Sequence, residues 1–130
     1  MKILMDTHAF LWFVEGDKRL SALARETIAN PSNDLYLSLA SICELSIKVA
    51  KGKLALNPPL DSFIQQWVFA YGVKELEIQR RHAHAFIAGA LDQFHGDPFD
   101  RMLIAQAICE NMHLVSRDSK LKYYQAPVIW

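Results

Sequence analysis

The chain has 130 residues, of which 52% are hydrophobic and 22% charged, and its 14 basic and 14 acidic residues give a formal net charge of zero. This composition excludes an intrinsically disordered chain and a strongly basic protein that coats nucleic acid. No apolar run approaches the roughly 20 residues of a membrane helix, and the length suits one domain. We therefore expect a single domain over residues 1–130, located in the cytoplasm and without membrane contact.

The predicted elements alternate between short apolar runs and stretches with helical periodicity. The first part of the chain has a strand at Lys2 to Met5, then helices from Ala9 to Val14 and from Ala22 to Ala29, and a second strand at Leu35 to Ser38. The middle part has helices from Ser41 towards Gly52 and from Asp61 to Gly72, followed by a strand at Val73 to Ile78. The last part has helices from Arg80 to Leu91 and from Pro98, and strands at His113 to Ser116 and at Pro127 to Trp130. This alternation favours a parallel sheet covered on both faces. The sequence therefore predicts an α/β fold.

Several polar residues stand where these helices begin. Thr7 and Ser21 are the expected N-caps of the first two helices. Ser41 and Glu44 have the Ser-x-x-Glu spacing of a capping box. Asp97 comes directly before a proline, which is well suited to the first helical position. Each of these residues predicts a helix start from local sequence alone.

The two cysteines, Cys43 and Cys109, both fall in helical patterns. Neither belongs to a Cys-x-x-Cys motif or a Cys/His cluster, so the sequence offers no zinc site and no disulfide framework. We expect both to be buried thiols in a reducing compartment.

Four carboxylates follow or closely adjoin the predicted strands. Asp6 ends the first strand and Asp118 follows the strand that begins at His113, while Glu44 and Asp100 fall in the early turns of two helices. In open parallel sheets, ligands bind at the carboxyl ends of the strands. We therefore expect these four side chains to converge at one edge of the sheet.

Each of these acids also has a purely structural explanation. Asp100 could complement the helix dipole, Glu44 could complete its capping box or pair with Lys48, and Asp118 could belong to a turn. Asp6 is harder to explain in this way, because a carboxylate at the end of a buried strand loses its hydration. A hard divalent cation would compensate a cluster of such carboxylates. Taken together, the acids favour a metal site.

Four motifs in a fixed order carry a resemblance to a known family. They are ILMDTHAFLW at the start, SLASICELSIKVAKGKL in the middle, HGDPFDRMLIAQA, and the late LVSRDSKL. Together they resemble the motifs of PIN-domain ribonucleases, and most closely the toxins of bacterial type II toxin-antitoxin pairs of the VapC kind. The resemblance implies a PIN-like three-layer α/β/α sandwich with a central, mainly parallel sheet of about five strands.

The resemblance also implies the activity and the residues that carry it. The family's catalytic acids correspond to Asp6, Glu44, Asp100 and Asp118, and the implied cofactor is Mg²⁺ or Mn²⁺ held by Asp6, Asp100 and Asp118. Asp97 is then the helix cap that also lies near the metal. The implied reaction is endoribonucleolytic cleavage of phosphodiester bonds, and the pattern leaves open whether one ion or two take part.

Further residues near these motifs are candidates for supporting roles. Thr7 and Ser116 could hydrogen-bond a metal-binding carboxylate or a phosphate, with capping or turn roles as the alternatives. Arg101, Arg117 and Lys48 are candidates for contacting the RNA backbone, with ordinary solvated side chains as the alternative. All five histidines are expected not to bind metal.

The resemblance further implies partners. VapC-like toxins commonly pair with a small antitoxin protein and commonly form homodimers, and the RNA is the substrate. The aromatic stretch from Phe10 to Phe13 and the helix around Trp67 are candidate contact surfaces.

Other classes of protein also gather acids at strand ends. A haloacid-dehalogenase-like phosphatase requires an aspartate at position 8, where the chain has His8, and a receiver domain requires a lysine where Ser116 and Arg117 stand. Two alternatives stay open within the resemblance: a PIN-domain protein of RNA processing that is not a toxin, and a module that binds RNA or a partner without cleaving.

Overall fold

The structure, a computed structural model, describes residues 1–87 and 97–130. In this part of the chain the strands are β1 (Lys2–Met5), β2 (Asp34–Ser38), β3 (Lys74–Leu76), β4 (His113–Val115) and β5 (Val128–Ile129). The helices are α1 (Thr7–Glu15), α2 (Ala22–Ala29), α3 (Leu39–Ala50), α4 (Leu60–Tyr71), α5 (Arg80–Ile87) and α6 (Pro98–Glu110), and a 3₁₀ helix follows at Ser119–Tyr123. The predicted continuation of α5 to Leu91 lies outside the described residues.

The strands form one sheet with the order β3-β2-β1-β4-β5, and every neighbouring pair is parallel. Strand β1 is central, and its last residue, Met5, is in register with Leu37 of β2 and Val115 of β4. Because parallel strands end at the same edge, the residues that follow β1, β2 and β4 come together there. This arrangement confirms the predicted α/β fold with a parallel sheet of five strands.

Side chains of β1 point alternately into two hydrophobic cores. Ile3 and Met5 pack with α1, α2 and α4 on one face of the sheet, where Phe10 and Phe63 are buried. Leu4 packs with α6 on the other face. A strand buried on both faces is apolar throughout, which explains the uninterrupted run at the start of the sequence. The sheet with helices on both sides is the predicted three-layer sandwich.

Two helices have their N-caps earlier than local sequence placed them, by one residue in α1 and by three residues in α3. Asp6, rather than Thr7, is the N-cap of α1: its Oδ1 accepts the N–H of Ala9 at 2.6 Å, and Thr7 is the first helical residue. Ser38 caps α3 by accepting the N–H of Ala40 at 3.0 Å, so Ser41 lies inside the helix and forms no capping box. In both places the strand leads directly into the helix, so the residue at the junction, Asp6 after β1 and Ser38 at the end of β2, is the one left to cap.

The remaining predicted helix boundaries that fall among the described residues agree with the structure to within one or two residues. Ser21 caps α2 by accepting the N–H of Ala24 at 3.1 Å. Gly52, just after α3, and Gly72, just after α4, have φ angles of 70° and 61°, the left-handed conformation that glycine adopts without a steric cost. Helix α4 begins at Leu60, one residue before Asp61.

The prediction of buried cysteines is wrong, because Cys43 and Cys109 are both exposed on their helices. Helical periodicity alone did not fix which side of α3 and α6 these residues occupy. Among the described residues, no helix combines the length and the apolar character needed to span a membrane.

Two consecutive hydrogen bonds fix α6 against the sheet. The hydroxyl of Ser38, at the end of β2, donates to Oε1 of Gln106 at 2.5 Å, and Nε2 of Gln106 donates to the carbonyl of Glu77 at 3.2 Å. Ser38 and Gln106 are both fully buried. A satisfied polar network of this kind fixes the position of the helix whose first turn carries Asp100.

Candidate active site

A pocket of about 320 Å³ opens at the carboxyl edge of the sheet. The described residues that line it are Asp6, His8, Trp12, Glu44, Asp97, Asp100, Ser116, Arg117 and Asp118. They come from the ends of β1 and β4 and from α1, α3 and the start of α6. The predicted acids thus share one pocket, although more than 110 residues separate the first from the last.

Asp6 is the most deeply placed of these carboxylates, and its residue is 8% exposed. Its backbone N–H donates to the carbonyl of Val115 at 3.0 Å, which holds it against β4. Burial raises the pKa of Asp6 above 3.8 and outweighs the hydrogen bonds from Ser116 and from the N–H of Ala9. The nearby charge of Asp100 also raises this pKa. Asp6 is therefore a carboxylate whose negative charge is poorly compensated by the protein itself.

Asp97 and Asp100 lie at the start of α6. Oδ1 of Asp97 accepts the backbone N–H of Phe99 at 2.8 Å and that of Asp100 at 3.2 Å, which confirms Asp97 as the N-cap. Pro98 occupies the first helical position, as expected. Both aspartates also line the pocket, so the cap and the site share one helix end.

Asp118 is held by the turn that follows β4. Its carboxylate accepts the N–H of Lys120 at 2.9 Å and caps the short 3₁₀ helix, and its own N–H donates to Oγ of Ser116 at 3.2 Å. Ser116 therefore contacts both Asp6 and Asp118. The Ser116 hydroxyl therefore takes part in the turn after β4 and also hydrogen-bonds a carboxylate of the pocket.

Two residues that line the pocket, His8 and Trp12, were not expected there from the sequence. His8 is the second residue of α1, and Trp12 follows four residues later on the same helical face. Their ring centroids are 5.5 Å apart. The available signal was the position of His8 two residues after Asp6, at the same edge of the sheet.

The PIN-domain family model matches residues 3–126 of the chain. The chain belongs to the PIN-domain family. Ribonuclease VapC22 from Mycobacterium tuberculosis (strain ATCC 25618 / H37Rv) is 30% identical over 125 residues, which cover 96% of this chain and 93% of the relative. This similarity confirms the resemblance to VapC-like PIN ribonucleases that the four motifs indicated.

Solved structures share the PIN fold of the chain. VapBC2 from Rickettsia felis, bound to a DNA fragment from its promoter, contains a chain with a TM-score of 0.71 at 15% identity, and the match covers 99% of this chain and 98% of that one. A toxin-antitoxin complex from Klebsiella pneumoniae contains a chain with a TM-score of 0.64 at 17% identity, with 98% and 96% covered. At these identities the comparison establishes the fold.

The donor set of this PIN domain suits a hard cation. Five carboxylates line the pocket, and oxygen ligands of this kind are the ones that Mg²⁺ and Mn²⁺ prefer. Within residues 1–87 and 97–130, no group of three or more Asp, Glu, His or Cys side chains is placed so that it could hold an ion by itself. Mg²⁺ usually keeps several waters and uses one or two carboxylates together with substrate phosphate, so a three-residue cage is not required.

Three predicted site residues of the PIN domain are not among the described residues that line the pocket. Thr7 is buried in the first turn of α1, and its Oγ1 has no hydrogen-bond partner among the described residues. The guanidinium of Arg101 lies 4.5 Å from the ring centroid of Phe86 and donates to the Phe86 carbonyl at 3.4 Å, so it is directed towards α5. Lys48 contacts His8, which does line the pocket: Nζ of Lys48 lies 3.5 Å from Nε2 of His8.

Proposed function

We propose that the protein is the toxin of a bacterial type II toxin-antitoxin pair and a Mg²⁺- or Mn²⁺-dependent endoribonuclease. Asp6, Asp100 and Asp118 hold the metal, and Glu44 completes the acidic pocket directly or through water. The observation that carries this proposal is the convergence of five carboxylates on one pocket at the carboxyl edge of a PIN-type sheet, with Asp6 buried among them.

The electrostatics of the pocket support the metal. The pKa of Asp6 is raised by burial and by the charge of Asp100, so the two carboxylates repel each other where water is partly excluded. A divalent ion would remove this repulsion. When bound, it would also neutralise charge on the phosphate and activate a water for in-line attack.

The protein groups set up the reaction around that centre. Ser116 orients the Asp6 carboxylate and the turn that carries Asp118. The cap formed by Asp97 fixes the first turn of α6 and with it Asp100. Attack of water on the phosphorus breaks the bond to the 3′ oxygen, which leaves as a hydroxyl, and the phosphate stays on the 5′ end of the other fragment.

The partners follow from the family. We infer a small antitoxin, a homodimer and a cytoplasmic location for a single nuclease domain. Phe10 and Trp12 are buried in the core and on the pocket side, so the stretch from Phe10 to Phe13 offers little surface for a partner. Helix α4 is the better candidate contact, because Phe69 is 94% exposed and Tyr71 is 47% exposed.

The deciding experiment is cleavage of a structured RNA pool by the purified protein free of antitoxin. The wild type is compared with Asp6→Asn and Asp100→Asn in Mg²⁺, in Mn²⁺ and in EDTA. Asp61→Asn is the matched control, because Asp61 is an exposed aspartate on α4 away from the pocket. We expect cleavage by the wild type and the control in either metal, and none in EDTA or in the pocket variants.

Cleavage that survives in EDTA or in Asp6→Asn would contradict the proposal. RNA binding without cleavage in any condition would instead support the non-cleaving module. The toxin role has its own test: growth arrest on expression, relieved by co-expression of a small protein encoded next to the gene. A metal-dependent nuclease that leaves growth unaffected would support the RNA-processing alternative.

A further inference from the structure

His8 lies at the pocket, yet the metal site leaves it without a role. It is exposed near the start of α1 and lines the pocket beside Asp6. An RNA phosphate that enters this pocket meets five carboxylates, and a single divalent ion does not balance them. Hydrogen-bond donors or cations on the same rim are therefore needed to bind the phosphate.

The contact between His8 and Lys48 indicates which imidazole nitrogen can donate a hydrogen bond to a ligand. The ammonium of Lys48 has hydrogens to donate and no acceptor, so at 3.5 Å its partner Nε2 of His8 must accept. When Nε2 accepts this hydrogen bond, the ring proton resides on Nδ1, which becomes a donor. The pair leaves one imidazole N–H and the other ammonium hydrogens available at the rim.

Trp12 places a second cation beside this pair. Its indole is mostly buried and packs edge-on against Trp130, with 5.9 Å between ring centroids. The His8 ring lies 5.5 Å from that of Trp12, and the guanidinium carbon of Arg117 lies 6.0 Å from it. His8 and Arg117 thus both lie near the Trp12 ring at one wall of the pocket.

We propose that His8 is a substrate-binding residue which, with Lys48 and Arg117, binds a phosphate of the RNA backbone at the rim of the acidic pocket. The proposal rests on the ribonuclease function proposed above. Nδ1 of His8 donates a hydrogen bond to a phosphate oxygen, and Lys48 and Arg117 supply positive charge. The three side chains form what we call the cationic wall.

The test is direct binding of a short fluorescein-labelled single-stranded RNA, followed by anisotropy in EDTA at low ionic strength, where no cleavage occurs. His8→Ala should raise Kd by about tenfold, the effect of losing one hydrogen bond to a charged group. His8→Asn should restore most of the affinity, because its amide N–H lies close to the position of Nδ1. His8→Phe keeps a ring but has no donor, so it should bind as weakly as His8→Ala.

Lys48→Gln should weaken binding several-fold and lower the slope of log Kd against log salt concentration by about 1. The matched control is Lys51→Gln, which removes the same charge from the exposed end of α3, three residues further on. Thermal unfolding of each variant checks that the fold is retained.

Three results would contradict the proposed RNA-binding role of the cationic wall. They are no RNA binding by the wild type, wild-type affinity in His8→Ala or His8→Phe, and equal losses of affinity in Lys48→Gln and Lys51→Gln. Affinity retained in His8→Phe would indicate base stacking instead. The nuclease function can fail separately, since a wild type that binds RNA with the predicted order of variants but does not cleave it in Mg²⁺ or Mn²⁺ would leave the wall in place.

Discussion

The hydroxyl of Ser116 hydrogen-bonds the buried carboxylate of Asp6, and so connects the residues that directly follow two neighbouring strands, β4 and β1. The same oxygen accepts the N–H of Asp118. One small side chain therefore sets the position of two proposed metal ligands. This contact favours the charged form of Asp6, in opposition to the larger effect of burial.

Replacing Ser116 by alanine should destabilise the protein by about 1–3 kcal/mol at neutral pH, because the buried Asp6 charge loses a donor. It should also raise the pKa of Asp6 further. The lost bond is made with the charged form, so the destabilisation should shrink as the pH falls and Asp6 is protonated in both proteins.

Urea unfolding in EDTA at about pH 7 and about pH 4 measures this difference. Ser46→Ala is the matched control, since Ser46 is an exposed serine whose hydroxyl donates to the carbonyl of Ile42. An equal loss of stability at both pH values would contradict a role through the Asp6 charge.

The raised pKa of Asp6 predicts that the carboxylate costs stability in the absence of metal. Above the pKa of Asp6 in the folded protein, the carboxyl is ionised in both the folded and the unfolded protein, and its full destabilising effect is present. Below the unfolded value of 3.8 the carboxyl is protonated in both, and this destabilisation vanishes. Asparagine caps a helix as well as aspartate does. Asp6→Asn should therefore melt at a higher temperature than the wild type in EDTA near neutral pH, with an advantage that disappears in acid.

Calorimetry with and without Mg²⁺ extends the same comparison to the metal. Metal binding to the folded state should raise the melting temperature of the wild type, with little effect on Asp6→Asn. A wild type that is indifferent to Mg²⁺ and Mn²⁺, or an Asp6→Asn variant less stable than the wild type in EDTA, would be inconsistent with the proposed site.

A second acid stabilises the packing of α5 on α6. Arg81, first, and then His82 lower the pKa of Glu110 below 4.5 through hydrogen bonds. Nε2 of the fully buried His82 lies 2.7 Å from Oε1 of Glu110, and its Nδ1 accepts the N–H of Gln79 at 3.0 Å. Nitrogen NMR should therefore show a ring proton on Nε2, the nitrogen that faces Glu110.

Because the pKa of Glu110 is lowered on folding, its contribution to stability is present above 4.5 and is lost as the pH falls through the folded value. Glu110→Gln should lower the free energy of unfolding by about 1–2 kcal/mol near neutral pH, and the difference from the wild type should disappear in acid. Guanidinium unfolding across this pH range provides the measurement. If the difference in stability between Glu110→Gln and the wild type persists unchanged in acid, the charge of Glu110 is not what Arg81 and His82 stabilise.

The surface pair of Asp17 and Arg19 offers a direct test of how a neighbouring cation changes a carboxyl pKa. Hydrogen bonds from Arg19 lower the pKa of Asp17 from 3.8 to about 2. Arg19→Ala should raise the pKa from about 2 part of the way towards 3.8, because the backbone N–H of residue 19 still donates to Oδ1 of Asp17, whereas Arg25→Ala, which removes a weaker charge effect, should change it little. Carboxyl NMR titration of the three proteins measures this directly, and a pKa that stays low in Arg19→Ala would exclude the proposed cause.

Local pattern was sufficient to predict the strands and their parallel arrangement. Buried strands are continuous apolar runs, and those at Lys2 and Leu35 are followed at once by helical periodicity. Since parallel strands end at one edge, the chain positions of Asp6 and Asp118 were enough to place them together. Their shared pocket with Glu44 and Asp100 agrees with that expectation.

The tertiary structure decided the side-chain directions that periodicity leaves open. Arg101, next to Asp100, lies over Phe86 because α5 packs against that side of α6. Cys43 is exposed on α3, which was expected to bury it. A helical residue turns about 100° from its neighbour, so adjacency in sequence does not mean a shared environment.

The sequence by itself determined which segments are strands and helices and which acids follow the strands, because these properties depend on residues only a few positions apart. Only the tertiary structure decided that Asp6 both caps α1 and is buried against β4, and that His8, Trp12 and Arg117 form one wall of the pocket. These contacts join residues up to about 109 positions apart. They depend on strand order and helix packing, which distant parts of the chain settle together.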